Sequence, residues 1–224
     1  MADRVPINFR KSPETITTFP FSDISEGTGT SVFFGASAGA SGSAETYFLS
    51  TLATYSNTVA SGSEIASGTD WTQVFDHDYD VKFNFSKRIR GKLRVTLTMG
   101  SEGDLSSTNV DAYAHIKVRK FDGTTEKEII DKQSEVVEFG DSVNTPTSKT
   151  VNIEMDITTT QRFKPGEILR ITVEIWGQRT GSQATRLGYA FDPKDRNDDK
   201  FGSDQIIEDS DTTIMEVHIP FLIP

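Results

Sequence analysis

The chain has 224 residues, 33 Asp and Glu against 23 Lys and Arg, a net charge of −10 and no cysteine. The missing cysteine excludes disulfides and thiolate metal sites, and the acidic balance argues against a nucleic-acid partner, whose phosphates need a basic footprint. A chain of this length buries about 70% of its unfolded surface, and 35% hydrophobic residues with 17 Gly suit strands with one wet face and many turns.

Residues 1–28 mix Pro6, Pro13 and Pro20 with isolated apolar residues, Ile7, Phe9, Phe19 and Phe21. This composition gives an extended arm. Its apolar side chains are expected at an interface, against the chain's own domain or a neighbouring subunit. The N-terminus has no apolar h-region, so no secretory signal is expected. No stretch of about 18 apolar residues occurs, so no membrane helix is expected either. Residues 30–34 read as a strand, and the Gly/Ala/Ser tract from Gly35 to Ala44 reads as a flexible loop. Residues 1–44 thus form an arm and flexible segment, and residues 45–224 the folded domain.

Glu45 to Tyr55 is strand-like, and 56–69 is a second Ser/Gly-rich loop. Trp71 to Phe75 is a short strand. From Asp80 to Ser86, Val81, Phe83 and Phe85 alternate with polar residues, and Leu93, Val95, Leu97 and Met99 do so within 89–99. This period of two marks strands with one buried face. Ala112, Ala114, Ile116 and Val118 repeat it in 110–121, and Asp122-Gly123 signals a hairpin turn into 124–130. Further strands are expected at 134–139, 149–157, 167–176, 186–191 and 212–219. The Pro165-Gly166 turn feeds the strand in which Leu169, Ile171, Val173 and Ile175 face inward. Pro220 lacks a ladder donor and is expected at a sheet edge or strand end. With helix nearly absent and strands every 8–15 residues, the fold class is all-β, an antiparallel β-sandwich of jelly-roll type.

Candidate sites are few. Gly35-Ala36-Ser37-Ala38-Gly39 matches the Gly-x-Ser-x-Gly pattern of hydrolases. That pattern needs a strand, a sharp turn and a helix, and here it lies in a Gly/Ala/Ser tract. His77, His115 and His218 have no second histidine at metal spacing and read as ordinary surface or interface residues. Asp76, Asp78 and Asp80 alternate and so share a face, and Asp192, Asp195, Asp198 and Asp199 fall in one loop. Clusters of hard oxygen ligands bind Ca²⁺, which makes Asp76, Asp78, Asp80, Asp192 and Asp195 candidate ligands of a structural Ca²⁺. Solvated turns are the plainer reading, and no other cofactor is expected. Trp176 shares its face with Arg170, Thr172 and Glu174, and an outward Trp suits a glycan or a neighbouring subunit. Asn84-Phe85-Ser86 matches a glycosylation sequon by chance, within a strand.

Three segments together resemble a group of β-rich structural proteins of tailed viruses of bacteria and archaea. They are Phe163-Lys-Pro-Gly-Glu167 with the strand after it, Tyr189-Ala-Phe-Asp192-Pro193-Lys-Asp-Arg196, and Val217-His-Ile-Pro220-Phe221-Leu-Ile223. Asp80-Val-Lys-Phe-Asn and Ile89-x-Gly add to them. The resemblance covers about the last 60 residues. It implies a component of the virion, head-decorating or tail-associated, made in the host cytoplasm. It implies no enzyme and carries no catalytic residue. Partners expected on this basis are copies of the chain itself, in a closed homo-oligomer such as a trimer, and other virion proteins. The rival is a carbohydrate-binding or receptor-binding β-sandwich module. A hydrolase using Ser37 comes third.

Overall fold

The computed structural model describes residues 17–18, 28–38, 46–52, 59–65, 67–103, 108–139, 147–181, 185–190 and 215–222. Among them are thirteen strands and no helix. They are β1 (Thr17–Thr18), β2 (Thr28–Ala38), β3 (Thr46–Ser50), β4 (Val59–Glu64), β5 (Gly68–Lys82), β6 (Lys87–Gly103), β7 (Asn109–Phe121), β8 (Glu126–Gln133), β9 (Val137–Phe139), β10 (Thr147–Phe163), β11 (Ile168–Thr180), β12 (Thr185–Ala190) and β13 (Met215–Leu222). No helix of the described residues is long and apolar enough to cross a membrane.

Nine strands form a mixed open sheet in the order β4-β12-β6-β13-β2-β3-β5, with β1 added on β2 and β10 on β6. It is mixed because β3 meets β5 in parallel, Phe48 opposite Asp80, while its other pairs are antiparallel. A four-stranded antiparallel sheet runs β11-β7-β8, with β9 also on β7. Long β6 organises the first sheet. One edge pairs with β12 over residues 98–103 and with β13 over 89–97, and the other takes β10.

The inward alternation read from the sequence is the core. Leu93, Val95, Leu97 and Met99 are fully buried, as are Ala112, Ala114, Ile116 and Val118, and Leu169, Ile171, Val173 and Ile175. With Val151, Ile153, Met155 and Ile157 of β10 they form one hydrophobic cluster drawn from both sheets. Each large side chain so buried contributes about 1.5–3 kcal/mol.

Several expectations change. The Gly35–Ala38 part of the tract read as a loop is strand: β2 runs on through it, paired with β3. Ser37 is the next-to-last residue of that strand, opposite Tyr47, and residues 39–45 after it lie outside the described residues. Residues 71–86, read as two strands, hold one strand ending at Lys82 and then a bend. β4 lies within the segment read as a Ser/Gly loop, because it is held by backbone pairing to β12 rather than by an apolar pattern. The Asp122-Gly123 turn is a four-residue loop, with Phe121 opposite Glu126. Asp122 caps it, its carboxylate accepting from the Thr124 and Thr125 amides at 2.9 and 2.8 Å. Pro220 lies in a strand flanked on both sides, not at an edge. Its missing donor falls where the β13–β6 register slips, between His218 and Phe221, and a bulge tolerates Pro. Within the arm, Thr17 and Thr18 pair with Ser31 and Thr30 of the same chain. Ile7, Phe9, Phe19 and Phe21 lie outside the described residues.

Candidate functional site

The outward face of β7 and β11 is set by their register. Arg170 stands opposite Arg119, Thr172 opposite Lys117, Glu174 opposite His115 and Trp176 opposite Tyr113. Like charges directly opposite destabilise a sheet, so the two arginines need carboxylates, and flanking strands supply them. β5 runs along β11, tied at one end by Phe83 N–H to the Glu167 carbonyl at 3.0 Å and Gly166 N–H to the Phe83 carbonyl at 2.7 Å. Arg170 grips Asp80 with two nitrogens, both at 2.8 Å, and reaches Asp78 at 3.1 Å. Arg119 reaches the other Asp78 oxygen at 3.0 Å. Glu126 of β8 bridges both arginines, and Thr172 joins Arg119 to Asp78. The Asp80 hydrogen bond, reduced by burial but reinforced by the charges of Asp80, Asp78 and Glu126, raises the Arg170 pKa further.

The calcium reading of Asp78 and Asp80 meets a different arrangement here. The alternation does bring them to one face, but it delivers their oxygens to two guanidiniums. Asp76 is exposed. Among the described residues no group of three or more His, Asp or Glu could hold a metal ion. Asp192 and Asp195 lie outside the described residues.

Next along the face, Glu174 is only 4% exposed. Its carboxylate takes the Lys117 ammonium, His115 Nδ1 at 3.0 Å and the Trp176 indole N–H at 3.1 Å. Burial alone would raise its pKa. The hydrogen bonds from Lys117, Trp176 and His115, with the charge of Lys117, outweigh burial and hold it below the ordinary carboxylate range. His115 Nε2 meets Asp131 at 2.8 Å, so this histidine is wired between two carboxylates. The half-buried Trp176 ring lies parallel to Tyr113 at 6.2 Å, and Trp71 packs on the same tyrosine at 4.7 Å. Burial, with the Glu174 charge, raises the Tyr113 pKa.

The opposite face of β5 carries an aromatic group. Tyr189 of β12 meets His77 Nδ1 at 2.6 Å and the Tyr79 hydroxyl at 2.8 Å. Tyr47 stacks on His77 at 4.1 Å. His218 of β13 lies 3.3 Å from Glu216.

At one end of the fold four of the five segments that carried the resemblance come together, while Tyr189 of the fifth lies against His77 and Tyr79. Phe83 packs edge-on against Phe163 at 5.1 Å and against Phe221 at 5.9 Å. The Lys164–Glu167 turn closes through Glu167 N–H to the Lys164 carbonyl at 3.1 Å, and the Glu167 carboxylate accepts from the Lys164 amide at 2.6 Å. A Cβ on Gly91 would sit 3.4 Å from Pro220, so Ile89-x-Gly and the closing Ile-Pro-Phe strand are in contact. Residues 191–196 lie outside the described residues.

Sequence reasoning placed Thr172 on this face without a role and passed over Arg119 and Glu126. The signal was one arginine per strand on a wet face, and it acquires meaning only when register sets the arginines opposite each other.

No known protein family matches the chain, and no curated protein matches it. Among solved structures, the chain is similar to a CocE/NonD family hydrolase from Staphylococcus aureus at 12% identity and TM-score 0.37, covering 84% of this chain and 36% of that one. It is also similar to infectious bursal disease virus, Gx strain, at 14% identity and TM-score 0.32, covering 75% of this chain and 41% of that one. The Gt strain follows at 11% identity and TM-score 0.27. The chain thus spans about two-fifths or less of the first two structures' length. The expectation that the chain is no enzyme is corrected here: a hydrolase stands among its structural neighbours, and that exclusion is withdrawn. At these TM-scores the likenesses assign neither an activity nor a particle to this chain.

Proposed function

We propose that the chain is a structural component of a virus particle, head-decorating or tail-associated, acting through contacts with copies of itself and with other particle proteins. The observation that carries this reading is the convergence on Phe83. Asp80-Val-Lys-Phe, Ile89-x-Gly, Phe163-Lys-Pro-Gly-Glu and Ile-Pro-Phe221, scattered over 140 residues of sequence, meet as one packed unit. Motifs that resemble a family and also touch each other specify a shared architecture better than motifs that merely recur. The proposal includes a jelly-roll β-sandwich, supported by the single apolar cluster shared by both sheets. Mass spectrometry of particles purified from the native source tests the function: the chain is expected at a fixed stoichiometry, and its absence from intact particles overturns the reading.

A second reading, a carbohydrate-binding module, is favoured by one observation: Trp71 of β5 and Tyr113 and Trp176 of β7 and β11, all half-buried, form a row of rings contributed by both sheets. Such rings stack on sugars. A glycan array giving specific hits lost in Trp176→Ala would support it, and an array without hits would remove it.

A further inference from the structure

The β5–β6 connection and the end of β10 make a basic tip. Lys82, Lys87, Arg88 and Arg90 surround the 83–86 bend, Arg162 and Lys164 flank Phe163, and all six are exposed. No acidic residue occurs between Asp80 and Glu102, or between Asp156 and Glu167. Of these bounding carboxylates, Asp80 is held by Arg170 and Glu167 by Lys120. At the point of the bend, Phe85 is 76% exposed, the most exposed large apolar side chain among the described residues.

Register sets Arg162 directly opposite Arg88 and Phe163 opposite Lys87. Opposed residues share a face and successive residues alternate. Arg88 and Arg162 therefore stand on one face of the β6–β10 pair and Lys87 on the other, over the Phe221 ring at 5.8 Å from its centroid. Like charges directly opposed cost stability. Where Arg119 and Arg170 are opposed, Asp78, Asp80 and Glu126 neutralise them; Arg88 and Arg162 have no ion-pair partner among the described residues. At about 3.3 Å a residue, Lys87 and Arg88 lie no more than about 7 and 10 Å behind Phe85. That is near one Debye length, about 8 Å at physiological salt, so a surface touched by Phe85 feels both charges.

We propose that this tip is a membrane-docking site: Phe85 enters the interface of an anionic lipid bilayer, and the cations around it hold the headgroups. Charge complementarity calls for an anionic partner, and the placement of the charges selects the kind. Cations on both faces of a strand pair, with the apolar side chain at its end, suit a plane met end-on. A protein groove or a nucleic-acid strand lies along one face and leaves the cations of the other in water. An apolar anchor joined to a basic cluster is the two-signal combination that holds proteins reversibly on anionic membranes. The net charge of −10 does not oppose this contact, because screening confines it to the tip. Docking of this kind goes beyond membership of a particle and does not depend on it.

The test is flotation of the full chain with phosphatidylcholine vesicles, with and without phosphatidylserine, over a salt series, with circular dichroism melts of each variant. Binding is expected only with phosphatidylserine and should weaken as salt rises. Arg88→Glu changes the tip by two charges and, at about fivefold for each, should weaken binding by about 20-fold. Its melting temperature should hold or rise, because a carboxylate then faces Arg162, which separates docking from folding. Phe85→Ser should weaken binding by about tenfold or more and leave its salt dependence unchanged. The Phe85→Trp variant should still bind, with its added fluorescence quenched by brominated lipid tails. The proposal is overturned if the chain does not float with phosphatidylserine vesicles, if it floats equally without that lipid, or if Arg88→Glu and Phe85→Ser float like the parent. It is equally overturned if, without vesicle binding, these residues bind a single-stranded oligonucleotide or a second copy of the chain.

Discussion

Arg170 donates to Asp80 through two nitrogens and to Asp78 and Glu126 through a third, and its side chain is only 17% exposed. Three carboxylates therefore depend on one guanidinium, with Arg119 sharing two of them. Removing one member of a buried ionic group costs about 3–5 kcal/mol, and the partial exposure of the carboxylates lowers that by solvent screening. Arg170→Ala is expected to destabilise the fold by about 2–3 kcal/mol in urea unfolding. Arg170→Lys should recover only part of this, because an ammonium cannot present the planar fork to Asp80. Unfolding midpoints for Arg170→Ala equal to the parent's would show that the network is surface decoration. Gly177 acts by volume instead. A Cβ there would lie 2.4 Å from Leu187 Cδ1 and 3.1 Å from Ile65 Cδ1. Both neighbours are fully buried, so neither side chain has space into which to turn. Gly177→Ala is expected to cost about 1–3 kcal/mol through overpacking, and a melting temperature at or above the parent's would refute the close approach.

Among the elements, the Lys164–Glu167 turn shows what sequence reveals and what it hides. Pro at the second position and Gly at the third is the signature of a type II turn, and Gly166 has φ +90°. The turn and the strand beyond it were legible because φ restriction and period two are local properties. That Gly166 N–H bonds the Phe83 carbonyl, 83 residues earlier in the chain, was not legible, since no local pattern reports which strand lies alongside. The same holds for β4, whose Val-Ala-Ser-Gly-Ser-Glu sequence has no inward stripe, and for the merging of two expected strands into β5. The acidic alternation of Asp76, Asp78 and Asp80 was read correctly as a shared face. Its arginine partners were not foreseen, because like-charge opposition on β7 and β11 appears only with register. Gly166→Ala places a Cβ at positive φ and is expected to destabilise by about 1–2 kcal/mol, without a steric clash, since nothing lies within 4 Å of that Cβ. If Gly166→Asn, which tolerates positive φ better, costs as much as Gly166→Ala, backbone strain is the wrong account.

For the whole molecule, acid is the condition that acts on several of these junctions at once. Asp122 closes the β7–β8 loop, Glu167 the β10–β11 turn and Glu174 the β7–β11 face, and all three carboxyls are held below their ordinary pKa. The Thr125 and Thr124 amides lower Asp122. In Glu167 and Glu174, burial acts upward and is outweighed, by Lys120 and the Lys164 amide in one case and by Lys117, Trp176 and His115 in the other. A carboxyl with a depressed folded pKa binds its proton more readily in the unfolded chain, where Asp and Glu titrate near 3.9 and 4.3. Its contribution is therefore complete above those values and is lost as pH falls toward the folded pKa. Stability should accordingly be flat from neutral pH down to about 5 and then decline steeply. Glu174→Gln should be less stable than the parent at neutral pH, because Lys117 and His115 lose their charged partner. The same variant should lose less on acidification, since one linked proton is gone. Urea midpoints at neutral pH and below pH 4 measure both effects, and parallel curves for the two proteins would show that Glu174 titrates alike folded and unfolded, leaving acid lability to the other carboxylates.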